Sequence, residues 1–201
     1  HLDYDALIIA TGSRPRPLPV EGADLENVFD LRGLADVEHI QPKMIPGHRL
    51  VIVGAGYIGL EAAAVARQLG LEVRVLEMEQ RALARVTSPV ISSFYEALHM
   101  EHGVDVRCGA RLARLKGEDG KLTHAVLASG EEIEADMVLA GIGIVPNVEL
   151  AEDAGLPVKN GIIVDEDART SDPRIFAAGD CTVRPLAHYA RTGRLESVHN
   201  A

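Results

Sequence analysis

Continuous apolar runs recur along the chain and predict buried strands of a parallel sheet. The clearest runs cover residues 50–53, 104–108 and 136–143, and a further strand pattern covers residues 71–77. Runs of this kind are typical of α/β proteins, in which helices cover both faces of the sheet. We therefore expect these four stretches to lie in one sheet.

Helical patterns fill the intervals between these runs. Residues 60–69 are rich in alanine and stop before Gly70, the usual residue past a helix end. A second helix is predicted from Ser88-Pro89, a capping hydroxyl followed by proline at the first helical position, to about residue 101. A weaker helical pattern covers residues 30–40. Strand, glycine turn, helix and strand then form a βαβ unit with a right-handed crossover.

Between residues 111 and 139 the pattern changes to alternation, with turns at residues 118–120 and 129–130. Alternation interrupted by short turns predicts an antiparallel meander. The sequence as a whole therefore predicts an α/β fold, in which a Rossmann-like parallel sheet with helices also carries an antiparallel β-meander.

Further strands are predicted on either side of this region, at residues 5–10, 161–165 and 174–178. Residues 14–19 contain three prolines and cannot be helical, because each proline lacks an N–H donor and restricts the residue before it. We interpret this stretch as a crossover between domains. The chain opens on His1 rather than Met, so we expect it to be an excised piece of a longer protein.

Composition narrows the classes of function. With 47% apolar and 25% charged residues the chain is globular, and no run is long enough to span a membrane. The net charge of −10 argues against nucleic acid or an anionic membrane as partner. The two cysteines, Cys108 and Cys181, have no metal-like or C-x-x-C spacing, which favours the cytoplasm. His99 and His102 are three residues apart but have no third ligand, so no metal site is predicted.

The strongest chemical signal is the pattern G-x-G-x-x-G at residues 54–59, between a strand and a helix. Gly54 permits a tight turn, Gly56 lets a pyrophosphate approach the backbone, and Gly59 lets the helix pack closely on the strand. Glu77 ends the next strand, where an acid accepts hydrogen bonds from an adenine ribose and repels a 2′-phosphate. A dinucleotide site that prefers NAD to NADP is therefore predicted. A structural turn is the alternative for the glycines alone.

A second candidate site lies near the end of the chain. Gly179 and Asp180 follow the apolar run at residues 174–178. A glycine beside an acid at the carboxyl end of a strand faces ligand in open α/β sheets. The alternative is that the Asp180 carboxylate caps the next segment.

Four motifs together carry a family resemblance, at residues 4–12, 54–61, 141–147 and 170–180. In this order they resemble those of the flavoprotein reductases with two dinucleotide-binding folds. Within that group the chain is most similar to ferredoxin reductases of the putidaredoxin reductase type. The closer marks are residues 57–61, 81–85, 94–95 and 194–198.

The resemblance implies a role for each candidate residue. Gly54, Gly56 and Gly59 would hold the NAD pyrophosphate, with Tyr57 and Ile58 of the same motif beside them. Glu77 would bind the adenosine ribose, Gly143 would line the nicotinamide pocket, and Glu61 would lie beside the nicotinamide at the flavin. On the FAD side, Thr11 and Gly12 would lie near the adenosine half, and Asp180 would bind the ribityl chain. No protein acid or base is obligatory in such enzymes.

The resemblance also implies a division of the chain and a reaction. Residues 13–146 would form the NAD domain, and residues 1–12 and 147–201 would be two pieces of the FAD domain. NADH would reduce FAD, which would pass electrons to a [2Fe-2S] ferredoxin that serves an oxygenase or cytochrome P450. Family members are about twice as long, so we expect this chain alone to be colourless and inactive.

Several alternatives remain open at this point. An NADH oxidase, a peroxidase or a rubredoxin reductase of the same fold would carry the same motifs, and a redox cysteine upstream would identify the first two. A non-catalytic NAD-binding module is the alternative outside the enzymes. Five arginines have two interpretations: they steer an acidic ferredoxin, or they are scattered surface residues. These arginines are Arg81, Arg85, Arg184, Arg191 and Arg194. The pattern predicts no oligomeric state.

Overall fold

The computed structural model describes residues 3–196, which divide into two compact units. The central unit comprises residues 15–143, and the flanking unit comprises the residues on either side of it. His1 and the last two residues of the motif at 194–198 lie outside the described residues.

The described residues form fifteen strands and four α-helices, with short 3-10 turns at residues 41–43, 179–181 and 187–189. The strands are β1 Leu7–Ile9, β2 Ser13–Pro15, β3 Val28–Asp30, β4 Arg49–Val53, β5 Glu72–Glu77, β6 Val104–Cys108, β7 Leu112–Glu118, β8 Lys121–Leu127, β9 Glu132–Glu134, β10 Met137–Ala140, β11 Ile144–Pro146, β12 Ile162–Ile163, β13 Ile175–Ala177, β14 Thr182–Leu186 and β15 Arg191–Gly193. The helices are α1 Leu34–Ile40, α2 Tyr57–Gln68, α3 Pro89–Glu101 and α4 Glu149–Asp153.

The central unit is organised around a five-stranded parallel sheet with the order β3-β10-β4-β5-β6. Along β4, side chains alternate between two cores: Leu50 and Ile52 pack on one face with α2, and Val51 and Val53 pack on the other with the meander. Both faces of the strand are therefore buried, which explains its continuous apolar run. The predicted fold class is confirmed.

The meander consists of β7, β8 and β9, which pair antiparallel as the alternation predicts. An ion pair joins the amino ends of β4 and β10. Arg49 Nη2 lies 2.7 Å from Asp136 Oδ1, and the Arg49 N–H donates to Asp136 Oδ2 at 2.8 Å. These contacts lower the pKa of Asp136 to about 2, with the hydrogen bond from the Arg49 side chain as the main cause.

The flanking unit contains two small sheets of its own. β1 pairs in parallel with β13, and β12, β14 and β15 form the second sheet. Its core includes Ile9, Ile162, Val164 and Ile175. β2 and β11 form a further two-stranded sheet.

The prediction of a helix over residues 30–40 is wrong at its start. Val28–Asp30 is a strand paired with β10, and the helix begins only at Leu34. The Asp36 carboxylate accepts hydrogen bonds from the N–H groups of Arg32 and Gly33, which fixes the helix start at that point.

Two further helix starts differ from the prediction. Helix α2 begins at Tyr57, three residues before the predicted start, because the glycine turn leads directly into it. Ser88 is the N-cap residue of α3 as predicted, but its hydroxyl makes no capping hydrogen bond. None of the helices in the described part of the chain is both long and apolar enough to cross a membrane.

Candidate functional site

The glycine turn between β4 and α2 is shaped by close backbone contacts at two of its three glycines. Gly54 has φ +105°, and a Cβ added there would lie 2.4 Å from the carbonyl oxygen of Gly141. A Cβ at Gly59 would lie 2.1 Å from the carbonyl oxygen of Gly54. Neither position therefore has room for a side chain.

Gly56 differs from both because a Cβ there would have nothing within 4 Å. Its backbone, at φ −81° and ψ −175°, is one that any residue adopts. The fold therefore does not require glycine at this position. Open space beside the backbone is what the close approach of a ligand requires.

The amino end of α2 presents its N–H groups at this open space. Gly56 is the N-cap, and no side chain of the described residues caps the helix. The first N–H groups of a helix have no partner within it and attract anions. Tyr57 and Ile58 are the first helical residues, and both side chains are exposed. The geometry of the turn fits a dinucleotide pyrophosphate.

Glu77, at the carboxyl end of β5, is hydrogen-bonded to the glycine turn. Its Oε2 accepts the N–H of Ala55 at 2.8 Å, and its Oε1 accepts the N–H of Glu79 at 2.9 Å. The adjacent backbone is also joined, because the Gly54 N–H donates to the Leu76 carbonyl at 2.8 Å. The carboxylate is therefore fixed beside the turn, and only half-buried.

The loop after β5, residues 78–88, is also attached to the glycine turn. Leu83 has φ +54°, and its N–H donates to the Ala55 carbonyl at 2.9 Å. The Arg81 guanidinium binds the carbonyls of Thr87 and Ala84 at 2.9 and 2.8 Å and the Ser92 hydroxyl at 2.7 Å. Arg81 therefore holds the loop together, a role that sequence reasoning missed.

Gly143 and Glu61 complete the predicted residues of the central unit. Gly143 follows β10 with φ +100°, its Cβ position is open, and its carbonyl accepts the Arg16 N–H at 2.9 Å. Glu61 lies on α2, and its exposed side chain makes no hydrogen bond or ion pair with another described residue. Its placement beside a nicotinamide stays a prediction.

The flanking unit brings Thr11, Gly12 and Asp180 to one end of its parallel pair, since they follow β1 and β13. The buried Ser13 hydroxyl donates to Asp180 Oδ2 at 2.9 Å. The Gly12 carbonyl accepts the Asn147 N–H at 2.9 Å. Sequence reasoning missed the contact between Ser13 and Asp180, because no local pattern links two residues that are 167 positions apart.

The two cysteines, Cys108 and Cys181, are free thiols. Burial and the nearby Glu96 carboxylate raise the pKa of Cys108 to about 11. Cys181 is fully buried, with its Sγ 3.2 Å from the Ala178 carbonyl oxygen. Among the residues that the structure describes, no three side chains of metal-binding type are grouped.

A family model described as pyridine nucleotide-disulphide oxidoreductase matches residues 1–201. The chain is 47% identical over 205 residues to putidaredoxin reductase CamA of Pseudomonas putida, covering 100% of this chain and 49% of that protein. It is 40% identical over 198 residues to a rubredoxin-NAD(+) reductase of Pseudomonas putida, and that match covers 98% of this chain and 51% of that protein.

Among solved structures, the covalent putidaredoxin reductase–putidaredoxin complex matches with a TM-score of 0.95 and 46% identity. That match covers 99% of this chain and 49% of the solved one. The chain therefore spans about half the length of the relatives that it matches.

Proposed function

Because the chain belongs to the pyridine nucleotide-disulphide oxidoreductase family, we propose that it is the NAD-binding part, with portions of the FAD-binding part, of an NADH-dependent ferredoxin reductase. The observation that carries the proposal is the hydrogen bond between the Glu77 carboxylate and the Ala55 N–H. It joins an acid suited to a ribose to a turn suited to a pyrophosphate.

In this proposal the central unit binds NAD(H). The pyrophosphate lies on the open side of Gly56, against the N–H groups of the first turn of α2. The Glu77 carboxylate accepts hydrogen bonds from the adenosine ribose while it keeps its contact with Ala55. Tyr57 and Ile58 contribute exposed side chains beside the pyrophosphate, and Gly143 and Glu61 lie at the nicotinamide end.

The flanking unit contributes residues toward FAD. Asp180 binds the ribityl hydroxyls as an acceptor, and Ser13 supports that carboxylate by donating a hydrogen bond to it. Thr11 and Gly12 lie near the adenosine half. Support comes from the arrangement of these residues at the carboxyl ends of β1 and β13, where open α/β sheets bind ligands.

When bound, the two cofactors would supply the redox chemistry, which is hydride transfer from nicotinamide to flavin and single-electron transfer to an iron–sulfur protein. The chain binds and orients the cofactors. In this proposal it needs no protein acid or base, and the raised pKa of Cys108 keeps its thiol protonated at neutral pH. The free thiols favour the cytoplasm as the place of reaction.

The proposed electron acceptor is a ferredoxin with a two-iron, two-sulfur cluster. The similarity to a putidaredoxin reductase, 47%, exceeds the 40% to a rubredoxin reductase and favours this choice. A full-length enzyme that contains this chain, loaded with its cofactors, should therefore reduce a two-iron ferredoxin faster than a rubredoxin in stopped-flow absorbance. Faster reduction of rubredoxin would favour the alternative, and reduction of oxygen or peroxide alone would favour an oxidase or peroxidase.

Titration calorimetry with NADH and NADPH tests the cofactor assignment. We expect NADH to bind at least about tenfold more tightly, because the Glu77 carboxylate repels a 2′-phosphate. Glu77→Arg should narrow or invert the preference, whereas Glu118→Arg, with the same charge change on an exposed turn of the meander, should leave it unchanged. Equal affinities in the wild type, or an unchanged ratio in E77R, would remove Glu77 from the ribose site.

A further inference from the structure

Asn147 joins the two segments through which the flanking unit continues into the central unit. The first segment ends at Arg14, and the second begins at Ile144. Strands β2 and β11 pair there, but each ends on a proline, which has no N–H to donate. The short sheet therefore supplies few hydrogen bonds, and Asn147, directly after β11, supplies others.

All four hydrogen-bonding groups of Asn147 contact residues 11–14. In the backbone, its N–H donates to the Gly12 carbonyl at 2.9 Å, and its carbonyl accepts the Thr11 hydroxyl. In the side chain, Nδ2 donates to the Thr11 carbonyl at 2.9 Å, and Oδ1 accepts Arg14 Nη1 at 2.6 Å. The half-buried side chain is therefore committed to the segment that follows β1.

This pattern of donor and acceptor specifies an amide. The Thr11 carbonyl needs a donor and the Arg14 guanidinium needs an acceptor, and a neutral amide offers both. An aspartate offers acceptors only, so it would place a negative oxygen against the Thr11 carbonyl. An asparagine just before a helix often caps it, but Val148 is the N-cap of α4, and in the described part of the flanking unit no side chain caps that helix. The amide thus serves residues 11–14 rather than α4.

The segment that Asn147 binds contains the support of the proposed FAD carboxylate. Gly12 has φ +64°, so the chain passes through the left-handed region just before Ser13. Ser13 is buried, and its hydroxyl donates to Asp180 Oδ2 at 2.9 Å. Because Asn147 binds Gly12 and Arg14, the residues on either side of Ser13, it fixes the direction in which that hydroxyl points.

We propose that Asn147 is a positioning residue of the FAD-side site. By fixing residues 11–14 it keeps the Ser13 hydroxyl on Asp180, and this contact orients the carboxylate. A carboxylate that accepts one hydrogen bond can accept others, so Asp180 can bind ribityl hydroxyls while Ser13 holds it. This inference rests on the proposed function of Asp180 in binding FAD.

Asn160 offers a matched control in the same unit. Its Oδ1 also accepts a hydrogen bond from an arginine, Arg194 Nη1, at 3.0 Å, and it lies in the turn before β12. Asn147→Asp and Asn160→Asp make the same change of amide to carboxylate. The contact of Asn160 with Arg194 needs only an acceptor, which aspartate keeps, whereas N147D removes the donor to the Thr11 carbonyl.

The experiment uses the full-length flavoprotein that contains this chain, prepared as apoprotein and titrated with FAD while flavin fluorescence is followed. N147D should bind FAD at least about tenfold more weakly than wild type, as when a supporting partner is lost at a metal site. N160D should change FAD affinity less than about twofold. Calorimetry should give NADH affinities within about twofold of wild type for both variants, because neither residue belongs to the central unit.

A double-mutant cycle tests whether Asn147 acts through Ser13. Ser13→Ala alone should weaken FAD binding, and N147D added to S13A should weaken it less than about twofold further. A general structural effect of N147D would instead appear in full in the S13A background. Additive losses would therefore overturn the inference, as would N147D with the FAD affinity of wild type.

The remaining outcomes separate this inference from the proposed function. Wild-type apoprotein that binds no FAD refutes the proposed function, and the inference with it. Wild-type protein that binds FAD beside an unaffected N147D refutes the positioning role alone. If urea unfolding shows that N147D does not fold, Asn147→Ala removes the same donor without adding charge. N147A should show the same loss of FAD affinity, and an unchanged affinity overturns the inference.

Discussion

Alanine substitutions at Gly56 and Gly59 distinguish the glycine that the fold needs from the one that a ligand needs. At Gly56 a Cβ meets nothing within 4 Å, and the backbone is extended, so Gly56→Ala should leave the free energy of unfolding within about 0.5 kcal/mol of wild type. The methyl group occupies the space into which the pyrophosphate must approach. NADH affinity should fall at least about tenfold, or 1.4 kcal/mol.

Gly59→Ala should show the reverse. Its Cβ would lie 2.1 Å from the Gly54 carbonyl oxygen and 3.4 Å from the Ile52 side chain, and the first of these contacts is with backbone. Relief requires moving α2 off β4, and overpacking of a buried core costs about 1–3 kcal/mol or more. The unfolding midpoint in urea should therefore fall clearly below that of wild type and of G56A.

The assays are urea unfolding followed by circular dichroism and calorimetric titration with NADH. Both variants add one methyl group and leave the charge unchanged, so each is the control for the other. A G56A protein that folds and binds NADH like wild type would show that the pyrophosphate does not lie at this turn. A G59A protein as stable as wild type would show that the close approach of helix and strand is not required.

Two other predictions concern the scaffold. Asp136→Asn should destabilise the chain by about 1–2 kcal/mol at pH 7, a value reduced for partial exposure of the pair. In the folded chain the pKa of Asp136 is lowered to about 2, from an ordinary value near 3.8. The difference in stability between D136N and wild type should therefore disappear as the pH falls from about 4 to about 2. A difference in stability that does not depend on pH would contradict the pairing of Asp136 with Arg49. Cys108 should react with a disulfide reagent at pH 8 about a hundredfold more slowly than a free thiol, since its pKa is about 11, and rapid reaction would contradict its burial.

The parts of the fold that the sequence predicts well are those whose signal is local. The run Leu50–Val53 indicates a buried strand by itself, and the three glycines with Glu77 indicate the turn and its ligand class. Strand β3 was missed because its three residues become a strand only by pairing with β10, about 110 residues later. Pairing of that kind leaves no pattern in a stretch as short as Val28–Asp30.

The supports of the site were missed for the same reason. Nothing near Leu83 in the sequence indicates that its backbone adopts φ +54° and reaches Ala55. The Arg81 contacts with Ala84, Thr87 and Ser92 likewise exist only once the loop is folded against α3. Residue types therefore predict which ligand the site binds, and tertiary contacts determine how firmly the site is built.

The two hydrogen bonds of Glu77 also constrain how this protein can evolve. One oxygen of the carboxylate completes the glycine turn, so a change of residue that admits a 2′-phosphate also removes the acceptor of the Ala55 N–H. If the cofactor preference evolved from NADH to NADPH, the evolutionary intermediate without Glu77 would be less stable than the present chain, unless a substitution at a neighbouring position came first. Glu79, whose backbone rather than side chain takes part in these contacts, is the position where such a permissive substitution disturbs the turn least. The effect of a substitution at Glu77 on cofactor preference thus cannot be separated from its effect on the stability of the turn.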